Sequence, residues 1–438
     1  MKLLKCGTDV ILGDPLYKWP FRSGEPTEWD EESVASPVAY PSSIRIIAFH
    51  VGPRGEVVTT NDVSVAVLQA DKCILDQAPR YVGYRAYNES VEWVFQLLGP
   101  IYGQRAASRE WYLTISKWLT SVGFTQCKNE PCLFVNSNTG VKVLLYVDDL
   151  IVRGSVDESS KFHDSLEGRF DCREGSRQVL SPDHPIDFTG MTLTMERGQH
   201  SDSYFLDQTA GIASFLVAHD LDGCTVRDCP MPDAKVLTRS PELVSEKLSS
   251  WCKSINGALR HFVRTCRWDI SHAVSRLSQV NRNPTVGMVE SIKYLGGCLK
   301  GTLDQRLGGP RPIRADTILS FSDSDFHGDI SFTSLSQTGV LILLNGIPCH
   351  WRSNRQPKSA DSPACAEIYA LKEGVRDSQL FHWVAEEMEI ATHYPFCVQV
   401  DNKQAISFQH FKRRARRATS EALSTGEKTG FKILGTNQ

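Results

Sequence analysis

The sequence has no apolar run near the ~20 residues that a membrane-spanning helix needs. It does not begin like a secretory signal peptide, because polar residues follow directly after Met1–Cys6. Its thirteen cysteines lack zinc-site pairing, and their odd number and irregular spacing favour reduced thiols. We therefore expect a chain that is neither secreted nor inserted in a membrane, and that works in the cytoplasm or the nucleus.

An excess of positive charge is also missing. Lys and Arg number 48 against 51 Asp and Glu, which gives a formal net charge of -3. This balance counts mildly against nucleic-acid binding through bulk charge, although it is compatible with a local basic groove. The one dense basic run spans residues 412–417, and a solvated tail is its simplest interpretation.

The length of 438 residues predicts two to four domains, and 41% hydrophobic with 23% charged residues is typical of globular protein. Hydrophobic spacing predicts a helix over Trp111–Gly123, mostly helical structure over residues 247–300, and a hairpin over Val141–Val152. Gly301–Pro312 is rich in Gly and Pro and predicts a linker. Mixed strand and helix patterns follow it: Ile318–Ser322, Gly339–Leu344, Ala366–Ser378 and Phe396–Val400.

Asp148 and Asp149 are adjacent carboxylates at the predicted hairpin tip, between two apolar runs. Like charges at close range repel, and burial raises that cost. A divalent cation such as Mg²⁺ removes the cost, and two such ions can clamp the attacking and leaving oxygens of phosphoryl transfer. A site of this kind needs a further carboxylate from elsewhere in the chain. An Asp-Asp pair alone is more often a polar turn.

A second set of acids ends or begins three predicted elements. Asp323 ends one strand, Glu367 lies at the start of a helix, and Asp401 ends another strand. Each acid taken alone is most simply a solvated surface residue. The three can meet only through the fold.

Ordered landmarks link these acids into one pattern. Tyr146–Leu150 reads YVDDL, and Asp62–Leu68 reads DVSVAVL. Further segments fall in order along the chain: Ala35–Ala39, Ile44-Arg45, Ile101–Gly103, Arg109, Trp111-Tyr112, Gly123-Phe124, Pro131–Phe134, Pro230-Met231, Gly257 and Arg267–Asp269. Together they resemble the reverse transcriptase and ribonuclease H region of copia-type LTR retrotransposon Pol polyproteins, over about residues 30–408.

The resemblance implies a polymerase site at Asp62, Asp148 and Asp149. These acids would bind two Mg²⁺ ions, or Mn²⁺, that activate the primer 3′-hydroxyl and stabilise the leaving pyrophosphate. Val67 and Tyr146 are expected to contact the nucleotide. The implied partners are an RNA template, a DNA primer, an RNA–DNA hybrid and deoxynucleoside triphosphates.

The same resemblance implies a ribonuclease H site at Asp323, Glu367 and Asp401, again with two metal ions. Asp325 is a weaker candidate that would support this site. Gln356 matches the family's segment between the first two of these motifs.

The implied fold class is a multidomain α+β and α/β protein. We expect a right-hand polymerase with fingers and palm over residues 1–155 and a thumb-like and connection region over 156–310. A ribonuclease H-like domain over 311–410 and a disordered basic tail over 411–438 would follow. The family's setting adds a cytoplasmic virus-like particle to the expected locations.

Several positions depart from the family pattern. Val67 replaces an aromatic residue that blocks the 2′-hydroxyl of ribonucleotides, so sugar discrimination should weaken. Ala106 replaces a Gln, Cys365 replaces a Glu, and the basic fingers segment is not recognisable in residues 1–34. The family's final segment is also absent from the chain's end. Two alternatives therefore stay open: a catalytically inert remnant that still binds nucleic acid, and an unrelated structural or partner-binding protein.

Overall fold

A computed structural model describes much of the chain: residues 35–50, 52, 55–71, 80–84, 93–97, 99–199, 202–231, 240–310, 316–326, 335–390, 396–401 and 431–435. The N-terminal segment 1–34 and the basic run at 412–417 lie outside these ranges. The chain divides into two compact units. The first comprises residues 1–39 and 55–179, and the second comprises residues 40–54 and 180–438.

The described elements of the N-terminal half are, in chain order, α1 (Pro41–Phe49), β1 (Glu56–Asp62), a 3-10 helix (Ala66–Gln69), β2 (Arg80–Tyr84), β3 (Trp93–Leu97), α2 (Ala107–Ser121), β4 (Thr125–Gln126), β5 (Leu133–Asn136), β6 (Val141–Tyr146), β7 (Asp149–Ser155), α3 (Val156–Arg169), β8 (Gln178–Val179), β9 (Ile186–Phe188), β10 (Met191–Glu196), β11 (Ser203–Asp207) and α4 (Thr209–Ala218).

The C-terminal half continues with α5 (Glu246–Thr265), a 3-10 helix (Trp268–Ile270), α6 (Ser271–Val280), α7 (Val286–Gly301), β12 (Leu307–Pro310), β13 (Ile318–Asp325), β14 (Gln337–Leu344), β15 (Ile347–Arg355), α8 (Pro363–Glu387), β16 (Phe396–Val400) and β17 (Phe431–Gly435).

The first unit is built on a sheet with the strand order β4-β5-β6-β7-β1-β8. Strands β6 and β7 form the predicted hairpin, and β7 pairs antiparallel with β1. Helices α2 and α3 contribute the aromatic packing: the Trp111 and Phe170 ring centroids lie 5.2 Å apart and those of Trp118 and Phe170 lie 5.5 Å apart, both edge to face. This aromatic packing supports the hairpin, because the Trp111 indole also hydrogen-bonds to its turn.

Helix α3 belongs to the first unit because it packs on β1 and β7. The buried ring of His163 hydrogen-bonds through Nε2 to the Thr59 hydroxyl at 2.8 Å. The compact units of the structure divide after residue 179, and the domain boundaries after 155 and 310 stay predictions. Residues 40–54 join the second unit, where α1 packs against β15.

The helices α4 to α7 of the second unit enclose an apolar core with fully buried side chains such as Ile255, Leu277 and Leu299. Thr285 begins α7, and its hydroxyl accepts a hydrogen bond from the Met288 amide at 3.3 Å. The helical prediction for residues 247–300 is confirmed, with a break just before Thr285.

The landmark at Arg267–Asp269 has a structural role between α5 and α6. The Arg267 guanidinium is 2% exposed and donates twice to the Asp269 carboxylate, at 2.9 and 2.7 Å. It also donates to the Thr302 hydroxyl, which lies just after α7. One buried arginine thus joins the helices at a single point.

The second unit also holds a mixed sheet with the order β15-β14-β13-β16-β17, in which β13–β16 and β16–β17 are parallel. Helix α8 packs on β13, β14 and β16. Two expectations are corrected here. Leu307–Pro310 of the expected linker forms β12 and pairs with β11. Residues 431–435 of the expected disordered tail form β17, because its backbone extends the sheet beside β16.

Candidate catalytic sites

Three acids of the first unit come together at the ends of β1 and β7. Asp62 is the last residue of β1, Asp149 is the first residue of β7, and the two are directly paired. Asp148 lies in the adjoining turn, and its carbonyl accepts a hydrogen bond from the Val63 amide at 3.0 Å. The structure thus brings together the three acids of the predicted polymerase site.

The turn that carries Asp148 has an unfavourable backbone that neighbours hold in place. Val147 adopts φ 60°, a left-handed conformation that is a clear outlier for a β-branched residue. The Trp111 indole donates to the Val147 carbonyl at 2.9 Å. Such strain costs on the order of 1–3 kcal/mol and persists where the surroundings enforce it, often at functional sites.

The carboxylates of this site repel one another. Burial, together with the charges of the neighbouring Asp62 and Asp148, raises the pKa of Asp149 to about 6. The pKa of Asp148 is also raised by burial and by Asp62. The Oδ1 atom of Asp148 is buried and has no hydrogen-bond partner among the described residues. An unpaired buried carboxylate oxygen beside two further acids is suited to a hard divalent cation.

Two neighbours of this site were not identified from the sequence. The Arg173 guanidinium lies 3.5 Å from the Asp62 carboxylate, and the Arg173 amide donates to the Asp62 carbonyl at 2.8 Å. The Tyr102 hydroxyl hydrogen-bonds with the Val67 backbone, and burial and the charge of Asp148 raise its pKa. Only the position of Tyr102 in the landmark Ile101–Gly103 could have indicated it, whereas Arg173 carried no sequence signal.

The two predicted nucleotide contacts lie in elements next to the acids along the chain. Tyr146 ends β6, is half-buried, and pairs with Asp149 across the hairpin. Val67 lies in the 3-10 helix that follows Asp62, with its side chain 3% exposed. Gln104 lies two positions before Ala106, and its side chain accepts a hydrogen bond from the Ile101 amide, which stabilises its own turn.

The acids of the second unit form a tighter cluster. Single carboxylate oxygens of Asp323, Glu367 and Asp401 all lie within 4.8 Å of one another. Among the residues that the structure describes, no other group of three acids, histidines or cysteines meets that distance. Strand β13, helix α8 and the end of strand β16 each supply one acid, as the sequence predicted.

Glu367 is the buried member of this cluster. Burial, then the charge of Asp323 and to a smaller extent that of Asp401, raises its pKa to about 7. Its Oε2 atom has no hydrogen-bond partner within the described part of the chain. Gln356 holds the first turn of α8 in place, because its amide donates to the Ala366 carbonyl at 3.0 Å and to the Thr338 hydroxyl at 3.1 Å.

The two remaining sequence candidates lie beside the cluster. Asp325 is exposed and lines an adjoining groove, but it is not one of the three converging acids. Cys365, at the position of the family's Glu, lies in the first turn of α8, and its amide donates to the Ser362 hydroxyl at 3.2 Å. The cap of α8 therefore survives this replacement.

Both clusters offer only carboxylate oxygens, which are the ligands that hard divalent cations prefer. Each cluster also contains a buried oxygen with no donor among the described residues, namely Oδ1 of Asp148 and Oε2 of Glu367. The residues present therefore fit a divalent metal at both places. The helices that the structure describes include none with the length and apolar character to span a membrane.

Residues 21–231 match the family described as reverse transcriptase (RNA-dependent DNA polymerase). The chain is 28% identical over 86% of its length to the retrovirus-related Pol polyprotein from transposon TNT 1-94 of Nicotiana tabacum. It is 27% identical over 85% of its length to that from transposon RE2 of Arabidopsis thaliana. It is 23% identical over 73% of its length to a truncated transposon Ty1-A Gag-Pol polyprotein of Saccharomyces cerevisiae.

The chain spans about a quarter of the length of these relatives: 28%, 25% and 27% of each, in the same order. The ordered landmarks, the family match over residues 21–231 and the relatives that cover most of the chain agree with one another. Residues 21–231 therefore match the reverse transcriptase family, and most of the chain is similar to the Pol polyproteins of copia-type transposons.

Proposed function

We propose that the chain is an RNA-directed DNA polymerase that extends a DNA primer on an RNA template with deoxynucleoside triphosphates. The pairing of Asp62 with Asp149, beside Asp148 in a strained turn, carries this proposal. Those three carboxylates would hold two Mg²⁺ ions, which stabilise negative charge on the attacking and leaving oxygens when bound.

Neighbouring residues of the chain hold the three carboxylates in position. The Trp111 indole and the Val63 amide hold the two carbonyls of the tip, those of Val147 and Asp148, so the carboxylates keep a fixed place at the strand ends. Arg173 offsets part of the negative charge at Asp62. Tyr146 and Val67 border the acids and would contact the incoming nucleotide. Positioning of this kind supplies most of the catalysis in phosphoryl transfer.

We further propose that Asp323, Glu367 and Asp401 form a ribonuclease H centre that hydrolyses the RNA strand of an RNA–DNA hybrid. Their convergence within 4.8 Å supports this proposal. These three acids would hold the metal ions for water attack on the strand. The raised pKa of Glu367, about 7, fits a carboxyl that loses its proton when a cation binds.

Primer extension on a homopolymeric RNA template with Mg²⁺ tests the polymerase. Wild type should extend the primer, and Asp148→Asn/Asp149→Asn should abolish extension while Asp323→Asn/Glu367→Gln leaves it intact. Cleavage of a labelled RNA–DNA hybrid tests the second centre. Here Asp323→Asn/Glu367→Gln should abolish cleavage, while Asp148→Asn/Asp149→Asn leaves it intact. No extension by folded wild type would refute the polymerase assignment.

The inert remnant is the second candidate, favoured by the small side chain of Val67 and by Cys365 in place of a Glu. Calorimetric titration with Mn²⁺ separates the two candidates. A working enzyme should bind the ion with an affinity that depends on both sets of carboxylates. A remnant should show weak binding that neither double variant changes.

A further inference from the structure

A cavity of about 600 Å³ lies in the second unit between α1, α5, α6, β15 and α8. Four arginines line it, Arg45, Arg260, Arg264 and Arg352, together with a single acid, Asp377. Serine hydroxyls of α6 line the same cavity at helical spacing, at positions 271, 275 and 278. A concave, hydroxyl-rich wall with an excess of guanidinium groups is suited to an anion.

Arg45 is the buried cation of this cavity. Its side chain is 4% exposed, and its guanidinium lies 4.0 Å from the Trp351 ring centroid. It donates to the carbonyls of Cys349, Arg264 and Thr265 at 2.6 to 2.8 Å. No carboxylate pairs with it within the described residues, and its burial lowers its pKa to about 10. A buried charge without a counter-ion favours the binding of one.

The two outer arginines are exposed and lie one helical turn apart on α5. Arg260 and Arg264 form no ion pair with any residue that the structure describes. Arg352 differs, because Asp377 at 2.8 Å and Glu373 at 3.2 Å balance its charge. The uncompensated charge of the cavity therefore comes from Arg45, Arg260 and Arg264.

The cavity lies next to the groove beside the acid cluster. A neighbouring space of about 400 Å³ is lined by Asp323 and by Asp325. The two spaces share Ser271, Trp351, Arg352 and Ser353 as lining residues. The three arginines without an ion-pair partner among the described residues therefore lie close to the groove of the proposed ribonuclease H centre. A strand whose phosphodiester lies at Asp323 would carry further phosphates at regular intervals on either side of it.

We propose that Arg45, Arg260 and Arg264 bind a backbone phosphate of the nucleic-acid strand that lies in the adjoining groove. The direction of the strand rests on the proposed ribonuclease H function, whereas the phosphate site itself does not. Guanidinium groups suit this ligand because they donate two parallel hydrogen bonds to phosphate oxygens. The contact is independent of base sequence and holds the strand in register.

Fluorescence anisotropy with a labelled RNA–DNA hybrid tests the site, with the full chain in EDTA so that the hybrid stays intact. The variant Arg260→Ala/Arg264→Ala removes two exposed cations. Its matched control, Lys247→Ala/Lys253→Ala, removes two exposed cations of the same helix that do not line the cavity. We expect roughly tenfold weaker binding for the arginine variant only, and a salt slope smaller by about one. Arg260→Lys/Arg264→Lys should recover part of the affinity.

Equal affinities for the arginine and lysine variants would overturn the proposal. A second arm titrates sodium pyrophosphate into each protein. Loss of pyrophosphate binding in the arginine variant, with hybrid binding unchanged, would also overturn it, because the cavity would then take a free anion. If wild type fails to cleave the hybrid in Mg²⁺ but the arginine effect on binding persists, the ribonuclease H proposal falls and the phosphate site stands.

Discussion

Asp62 and Asp149 lie directly opposite each other on two antiparallel strands, at the ends of β1 and β7. Like charges in this relationship destabilise a sheet by about 0.2–1 kcal/mol. The first unit thus keeps an arrangement that costs stability when no cation is bound. The unfolding stability of the metal-free protein should therefore reflect this repulsion.

Removing one of these charges should stabilise the metal-free fold. The pKa of Asp149 is raised to about 6 in the folded protein, so the folded state favours its protonated form. The sign follows from linkage: the native fold gains stability below this pKa and loses it as pH rises through about 6. Asp149→Asn should therefore unfold at higher urea than wild type at pH 7.5 in EDTA, by about 1 kcal/mol.

The gain should shrink at pH 5, where wild-type Asp149 is largely protonated. Glu174→Gln, at an exposed turn of the same unit, is the control and should leave the urea midpoint unchanged at both pH values. A variant less stable than wild type at pH 7.5 would contradict the charge-repulsion argument.

The two acid clusters should lose metal at different pH values. A bound ion must displace the proton of Glu367, whose pKa is raised to about 7, or of Asp149, whose pKa is raised to about 6. Below each pKa the affinity should fall about tenfold per pH unit, and above it the affinity should level off. As pH falls from 8, the Glu367 cluster should weaken first.

Mn²⁺ titration calorimetry measures this difference when one cluster is disabled at a time. Asp148→Asn/Asp149→Asn leaves the cluster of the second unit, and Asp323→Asn/Glu367→Gln leaves that of the first. Identical pH profiles for the two variants would show that the environments of Glu367 and Asp149 do not control binding.

Sugar selection should depend on the side chain at position 67. Val67 is smaller than the aromatic residue of the family pattern, so we expect wild type to incorporate ribonucleotides and deoxynucleotides comparably. Val67→Phe should restore preference for deoxynucleotides, by tenfold or more in the ratio of kcat/KM values, which corresponds to about 1.4 kcal/mol.

Single-nucleotide primer extension with dTTP and UTP gives these ratios. Tyr102→Phe is the companion variant, since it removes only the hydroxyl that hydrogen-bonds with the Val67 backbone. Strong rejection of UTP by wild type would show that a residue other than Val67 closes the sugar pocket. If Tyr102→Phe then loses this rejection of UTP, Tyr102 is that residue.

A buried ion pair should be important for the stability of the first unit. The Arg153 and Glu56 side chains are 1% and 7% exposed and lie 2.9 Å apart. Glu56→Ala leaves the guanidinium buried without its carboxylate, which costs about 3–5 kcal/mol. Urea unfolding followed by circular dichroism should show this loss, while Glu56→Met/Arg153→Met should lose much less. Equal losses of stability in both variants would indicate that packing of these side chains, and not their charge, stabilises the first unit.

Much of the local structure followed from the sequence because short-range physics fixes it. The helical spacing around Trp111 predicted α2, and Gly123 adopts φ +94° just beyond its end. The apolar runs around Asp148 predicted a hairpin, and Phe396–Val400 forms the strand that its pattern indicated. The apolar pattern of Ser43–His50 alone does not distinguish a helix from a strand, and in the structure most of it lies in α1, which packs against β15.

The sequence landmarks identified the acids themselves, but they did not show that these acids lie close together in space. Asp323, Glu367 and Asp401 lie on a strand, a helix and a second strand, and only the sheet order brings their oxygens within 4.8 Å. Likewise, Arg45 precedes Arg260 by more than two hundred positions, and both line one cavity. No local periodicity can encode such distances along the chain.

The sequence by itself determined many of the element types, which depend on neighbours within a few positions. It also determined the family resemblance and the identity of the candidate acids, which follow from the ordered motifs. The tertiary structure alone decided which acids face each other, where Arg173 and Tyr102 lie, and that residues 431–435 complete a sheet. It also decided which charges remain uncompensated. The physical reason is that burial and Coulomb interactions depend on distances through space, which the fold sets and the order of residues does not.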